Sequence, residues 1–295
     1  QVNTPLLERP VDQQIKQNEK SRGDYRVLDL SVNVFNNSTT SYHHNTIGGY
    51  HAAKLMRYND IIEKQISNNN QNVINMLNAK YIIKQDQTVS QNPLACGTAW
   101  FVDTLLKVNT PNEEMAALNN FNPQEVAIIL DNEFNGYAGN FDPQKGGEIT
   151  LTQYDPQNLI YSYNATSPQF AVFSEIWYGP DKGWQAFIDD KPVDHVRVNY
   201  LLRGLKVPEG KHTIAFRFKP VKIQQYITIS RAASGLLMIA LLGMIGWMGF
   251  NFYKNPGEPN PFPNAPVQPK APVTRDSKPT PKPSAPQQKK AGKKI

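Results

Sequence analysis

The chain offers three groups of residues whose types could do chemistry. His43 and His44 sit with His51 in an Asn/Ser/Thr-rich stretch, three histidines within nine residues. Imidazole nitrogens can ligate a metal, but none of these pairs has the H-x-x-x-H spacing that puts two rings on one helix face, and no cysteine accompanies them. The neighbourhood Tyr42, His43, His44, Tyr50, His51, Arg57 and Tyr58 instead combines donors, acceptors and flat faces of the kind that hold a sugar or an anion. The second group, Ser174 to Trp184 (SEIWYGPDKGW), gathers Glu175, Trp177, Tyr178, Asp181 and Trp184. Carboxylates beside aromatics occur in glycosidase and lectin sites, so Trp177, Tyr178 and Trp184 are candidates for stacking on a glycan. Strand alternation turns Trp177 and its neighbour Ile176 to opposite faces, which commits at least one tryptophan to a core. The third group is Gly243, Gly246 and Gly249 in an apolar run, a smooth strip on which another helix can pack. No nucleophile elbow, phosphate loop, dinucleotide fingerprint or zinc signature is present, and no catalytic, cofactor-binding or metal-ligating residue is assigned.

These groups need elements to hold them. Residues 1–24 are polar and read as a connector, with Asp12 as the N-cap of a short helix reaching Glu19. Tyr25 to Val34 alternates apolar and polar side chains as a strand does. A polar loop from Asn36 to Gly49 follows, and Ala52, Leu55, Tyr58, Ile62 and Ile66 recur at helical spacing, predicting a helix over 50–66 with Tyr50 and His51 at its start. There, unpaired amides could hold an anionic group. A short helix near Val73–Leu77, strands at Tyr81–Ile83 and Trp100–Val102, and a helix capped by Thr110 with Pro111 at its first position complete a mixed α/β module over 25–146. From Gly147 short strands succeed one another between Gly, Pro, Asp and Asn: EITLTQY, NLIYSYNA, FAVFSEIW, WQAFID, VRV, LLRGLKV and HTIAFRFK. That spacing predicts an antiparallel β-sandwich over 147–220, with Asp189-Asp190-Lys191-Pro192 and Pro208-Glu209-Gly210 as turns.

Ala232 to Phe252 carries no charged side chain, and 21 apolar-rich residues rising about 1.5 Å each span the ~30 Å hydrocarbon core of a bilayer. A transmembrane helix is therefore expected over 228–253, contacting membrane lipid, with Trp247, Tyr253 and Lys254 at the interface. Residues 254–295 hold nine Lys or Arg, two acidic residues and 11 prolines. Such a segment is expected to be disordered, and its charge places it on the cytoplasmic side with the bulk of the chain extracytoplasmic. That tail contributes +7 to a formal charge of +6, leaving the first 253 residues at about −1, so the folded part is no nucleic-acid binder by charge. One cysteine, Cys96, allows no internal disulfide. The fold class is thus α+β: a mixed module, a sandwich, one transmembrane helix and a disordered tail.

The segments STTSYHHNTIGGYHAAKLMRYNDII, NMLNAKYII, AWFV and VFSEIWYGPDKGWQAFIDDKPVDHVRVNYLLRGLKVPEGKHTIAFRFKP, in this order, resemble the C-terminal part of YfhO-family bacterial membrane proteins of the Bacteroidetes type. The resemblance runs from about Pro10 to the apolar helix; Thr98 departs from the Asn expected before AWFV, and the Pro/Lys tail lies outside the family pattern. It implies a polytopic enzyme similar to GT-C glycosyltransferases, which use a lipid-linked sugar and modify envelope polymers. It also implies further transmembrane helices upstream of Gln1 as partners, an envelope glycan or lipid-linked sugar as ligand, and a catalytic acid located upstream, so that this piece alone is inactive. A single-anchor envelope protein that binds a glycan or another protein is the competing expectation.

Overall fold

The computed structural model describes residues 6–19, 21–134, 137, 139–140 and 147–254. The chain opens with α1 (Pro10–Asn18) and β1 (Arg26–Asp29), then α2 (Thr39–His43), α3 (Met56–Ile61), α4 (Gln71–Met76), β2 (Ala79–Ile83), β3 (Val89–Gln91), β4 (Ala99–Val102), β5 (Thr104–Val108), α5 (Pro111–Ala117), β6 (Val126–Leu130) and β7 (Gly139–Asn140). Strands then dominate: β8 (Gly147–Asp155), β9 (Asn158–Ala165), β10 (Gln169–Ile176), β11 (Trp184–Ile188), β12 (Lys191–Val193), β13 (Val196–Val198), β14 (Leu202–Val207) and β15 (Gly210–Phe218). The last element among the described residues is α6 (Val221–Lys254).

β1 and β2 pair in parallel around the α2–α4 crossover, and β5 and β6 pair in parallel around α5, each a β-α-β unit. The sandwich is built from two antiparallel sheets, ordered β13-β14-β10-β4 and β12-β11-β15-β9-β8. Between them lie Tyr161, Phe173, Leu205, Ile214 and Phe216, all essentially without exposure. The other face of the first sheet packs Phe170, Val172, Val198 and Leu202 in one core with Ile61, Met76 and Ile128 of the α/β part. A sheet covered on both faces selects a continuous apolar run rather than alternation, which is why β10 reads FAVF.

β4 is grouped by sequence with the α/β module, yet it pairs with β10 of the sandwich, Phe170 opposite Val102 through Phe173 opposite Ala99. Across the same junction, Asn199 exchanges two bonds with Ile128, its N–H donating to the carbonyl and its Oδ1 accepting from the amide. The described residues up to Ser230 form one compact unit, and α6 from Arg231 belongs to a second.

Several expected boundaries move. The first strand stops at Asp29, whose buried carboxylate takes the Ser31 amide and so turns the chain. Asp12 is not the cap of α1 but its third residue, accepting from the Arg9 amide at 3.0 Å. The polar loop contains α2. The helix expected over 50–66 begins only at Met56: Gly49 sits at φ +104°, and the His51 ring takes the Ala53 amide that a helix would have used. The helix then widens to a π-turn over Ile62–Ile66. By contrast Thr110 caps α5 as expected, accepting from the Glu113 amide. Asp189 and Asp190, at φ 47° and 62°, make the β11–β12 turn, leaving Pro192 on an edge strand where its missing N–H costs nothing.

α6 is long and apolar enough to cross a membrane from Gln225 to Lys254, and its large side chains from Leu236 to Phe252 are exposed. Added Cβ atoms at Gly243, Gly246 and Gly249 would meet no neighbouring atom. The expected Pro/Lys tail lies outside the described residues.

Candidate functional site

The seven residues singled out between Tyr42 and Tyr58 do not form one surface. Tyr42, Tyr50 and His51 are exposed, while His43 and His44 are buried. His44 lies between Tyr25 Oη, 2.9 Å from Nδ1, and Asp12 Oδ1, 3.2 Å from Nε2. A neutral ring donating to Asp12 and accepting from Tyr25 satisfies both contacts, and burial holds its pKa below the usual range despite the carboxylate. Asp12 is shared with Arg9, whose Nη2 also donates to Asp29 at 2.8 Å. Asp29 further accepts from Thr40 Oγ1 at 2.6 Å and from the Ser31 amide and hydroxyl. Burial would push both carboxyls up, but these hydrogen bonds outweigh it and hold them below the ordinary range. The group docks α1 and α2 onto β1.

Arg57 goes elsewhere, its guanidinium 4.6 Å from the Tyr200 ring and 3.7 Å from buried Glu114, which Arg197 approaches at 3.8 Å. Arg197 pairs with Glu133 at 2.7 and 2.5 Å, so this cluster ties α3 and α5 to β13. Because α3 starts at Met56, Tyr50 and His51 have no helix N-terminus to share.

Tyr58 is the member that reaches a cavity. A groove of about 320 Å³ is lined by Tyr58, Arg26, Glu175, Tyr178, Trp184 and Arg203, with the Thr46–Gly48 loop as one wall. Three local features build it. The β10–β14 register breaks after Phe173, so that Ser174 and Glu175 bulge out of the ladder. The bulge turns Glu175 toward β1, where Arg26 donates to its Oε1 at 2.7 Å and to the Ser174 carbonyl at 2.8 Å. The loop wall is pinned by Thr46 Oγ1 on the Val27 carbonyl and by the Tyr58 hydroxyl donating to the Ile47 carbonyl. Gly48 is required in it, since a Cβ there would lie 2.3 Å from the Val34 carbonyl oxygen. Finally, Trp184 opens β11 opposite Phe218, their ring centroids 5.5 Å apart.

Trp177 is not part of this groove. Its ring packs on Phe134 and His195 at 5.7 and 6.1 Å; it follows the end of β10, and both tryptophans are half-buried, so neither is the fully buried core residue expected. Asp181 is absent from the groove lining as well, leaving Glu175 as the carboxylate that borders it. His195 sits behind the groove, with Nε2 on the Trp184 carbonyl at 3.1 Å; burial lowers its pKa to about 4, so it is neutral at pH 7.

Sequence reasoning missed Arg26 and Arg203. The signal available was a cation inside an apolar strand, as in VLDL preceded by Arg26 and LLRGLKV around Arg203. Among the described residues no group of three or more His, Cys, Asp or Glu is placed to hold a metal ion. What the groove can do chemically is bind: it offers aromatic surface, two guanidinium groups, one carboxylate and hydroxyls around a space the size of a sugar residue or two. Comparison with known proteins returned no family model, no curated sequence and no solved structure that matches this chain.

Proposed function

We propose that the unit preceding α6 is a saccharide-binding, extracytoplasmic domain, and that it belongs to a membrane glycosyltransferase of the YfhO type in which it positions an envelope glycan near the bilayer. The observation that carries this reading is the groove itself. Trp184 and Tyr178 border it beside the hydrogen-bonding groups of Glu175, Arg26 and Arg203, and the same chain continues into a helix of membrane-spanning length and composition. The family assignment rests on the ordered motifs from Ser38 to Pro220, and the orientation on the basic tail. Catalysis is assigned to the membrane part that this reading places upstream of Gln1.

Two measurements test the two halves of the proposal. The full chain in nanodiscs, screened against bacterial envelope oligosaccharides, is expected to bind a subset of them and to lose at least about tenfold in affinity in Trp184→Ala, a contact of roughly 1.4 kcal/mol or more. Intact mass of the native polypeptide, read with its upstream reading frame, decides the enzyme context. About ten further hydrophobic spans support the glycosyltransferase, whereas a signal peptide alone leaves a single-anchor glycan-binding protein.

A further inference from the structure

The groove contains a charge that its internal contacts leave open. Arg203 is only 2% exposed. Its Nε donates to the Ile176 carbonyl at 3.0 Å, and its guanidinium carbon lies 4.1 Å from the Trp184 ring centroid and 5.0 Å from that of Phe216. Its Nη1 is buried and has no hydrogen-bond partner. A guanidinium withdrawn from water with a donor unmet is costly, and structures keep such a group where something completes it. The carboxylate nearest in the groove does not do so: Glu175 Oε1 is committed to Arg26. Two cationic residues and one anionic residue line the space, an excess of one positive charge.

Building on the saccharide reading above, we infer that the groove takes a sugar bearing a carboxylate, a residue of the uronic acid class. The guanidinium of Arg203, a residue of the groove wall, donates to the carboxylate while Trp184 and Tyr178 border the ring. A single free donor edge and one unit of excess charge match a monoanion. A phosphate ester, near two negative charges at neutral pH with three oxygens to satisfy, would need more donors than Arg203 leaves available.

The test uses the full chain in nanodiscs of zwitterionic lipid, so that no anionic headgroup competes, and isothermal titration with four probes: a glucuronate-containing oligosaccharide, its methyl ester, the corresponding glucoside and the corresponding 6-phosphate. The uronate is expected to bind at least about tenfold more tightly than its ester, the scale of one charge-assisted hydrogen bond. R203Q should erase that preference. E175Q should strengthen uronate binding several-fold by removing the like charge and releasing Arg26, and so widen the preference for uronate over ester. Because Arg203 is buried and R203Q can fail to fold, E175Q decides on its own: unchanged or weaker uronate binding in that variant overturns the inference. Equal binding of uronate and ester overturns it too, with the saccharide reading intact. Preference for the phosphate overturns carboxylate recognition, and no binding of any probe overturns the inference, the saccharide role being decided by the wider oligosaccharide screen.

Discussion

Two polar regions of the same compact unit contain nearly the same residue types and end differently. Around Asp29, an arginine, two carboxylates, a histidine and a tyrosine close on one another: Asp29 accepts four hydrogen bonds and His44 uses both ring nitrogens. Around Arg203, an arginine and two aromatic rings sit beside a carboxylate already engaged by Arg26, and one buried donor of this groove-lining residue stays unpaired. The difference teaches how to separate scaffold from site where no relative is at hand. Composition does not do it, since the histidine-rich stretch looked the more chemical of the two. The closed network around Asp29 and His44 has nothing left to offer a ligand, but an unpaired buried atom alone does not mark a site, since His43 Nε2, Arg57 Nη1 and Glu114 Oε2 lack partners too.

The comparison breaks first at Asp29. Asp29→Ala leaves Thr40 and Ser31 without their acceptor and Arg9 with Asp12 alone, and is expected to cost about 2–3 kcal/mol of stability. Urea denaturation of the full chain in detergent measures it, and saccharide affinity of the folded fraction should not change. If stability falls by less than about 1 kcal/mol, the network is not the clamp described here.

An effect of similar or smaller size is expected with pH. His195 has a folded-state pKa lowered to about 4, against an ordinary value of 6.5. Between those values the unfolded chain binds the additional proton, so stability is full above about pH 6.5 and declines as the pH falls toward 4, by at most about 3 kcal/mol. Buried His44, also lowered, adds to the same limb. The carboxyls of Asp12 and Asp29, held below their usual range, contribute stability that persists until the pH drops below about 4 and is then lost. Denaturation midpoints from pH 8 to pH 3 should show both limbs, and His195→Gln should flatten the upper one. A flat profile between pH 6.5 and 4.5 in the parent protein contradicts neutral burial of this ring.

The smallest effect sharpens the contrast. Tyr50→Ala with His51→Ala removes exposed side chains and is expected to shift stability by less than about 0.5 kcal/mol and to leave saccharide binding unchanged. A tenfold loss of binding in this variant would return the ligand surface to the Tyr42–Tyr58 segment.

Most strands of the sandwich were legible in the sequence, although β4 was grouped with the α/β module and Lys191-Pro192 of β12 were read as turn. NLIYSYNA and VRV match β9 and β13 end to end, and the period-two face of HTIAFRFK places Ile214 and Phe216 in the core. Thr110 could be read because a cap is a contact three residues long. The helix predicted from Tyr50 could not be corrected from the sequence, since its late start depends on how Gly48 and Gly49 thread past Val34. The groove was half legible: Tyr178 and Trp184 were named and line it, Tyr58 was named in another group, and Trp177 was named but packs elsewhere. Arg26 and Glu175, 149 positions apart, were invisible as a pair.

What the sequence by itself determined about this protein is what local physics decides: the period of each strand, the Asp189-Asp190 and Pro208–Gly210 turns, the cap of α5, and a terminal helix of bilayer length. Only the tertiary structure decided which strand of the first half would join the sandwich, which histidines would be sealed inside, and which arginines would bury a donor without a partner. Those outcomes depend on pairings between distant segments, where burial and hydrogen-bond completion are properties of the assembled fold and of no single stretch of chain.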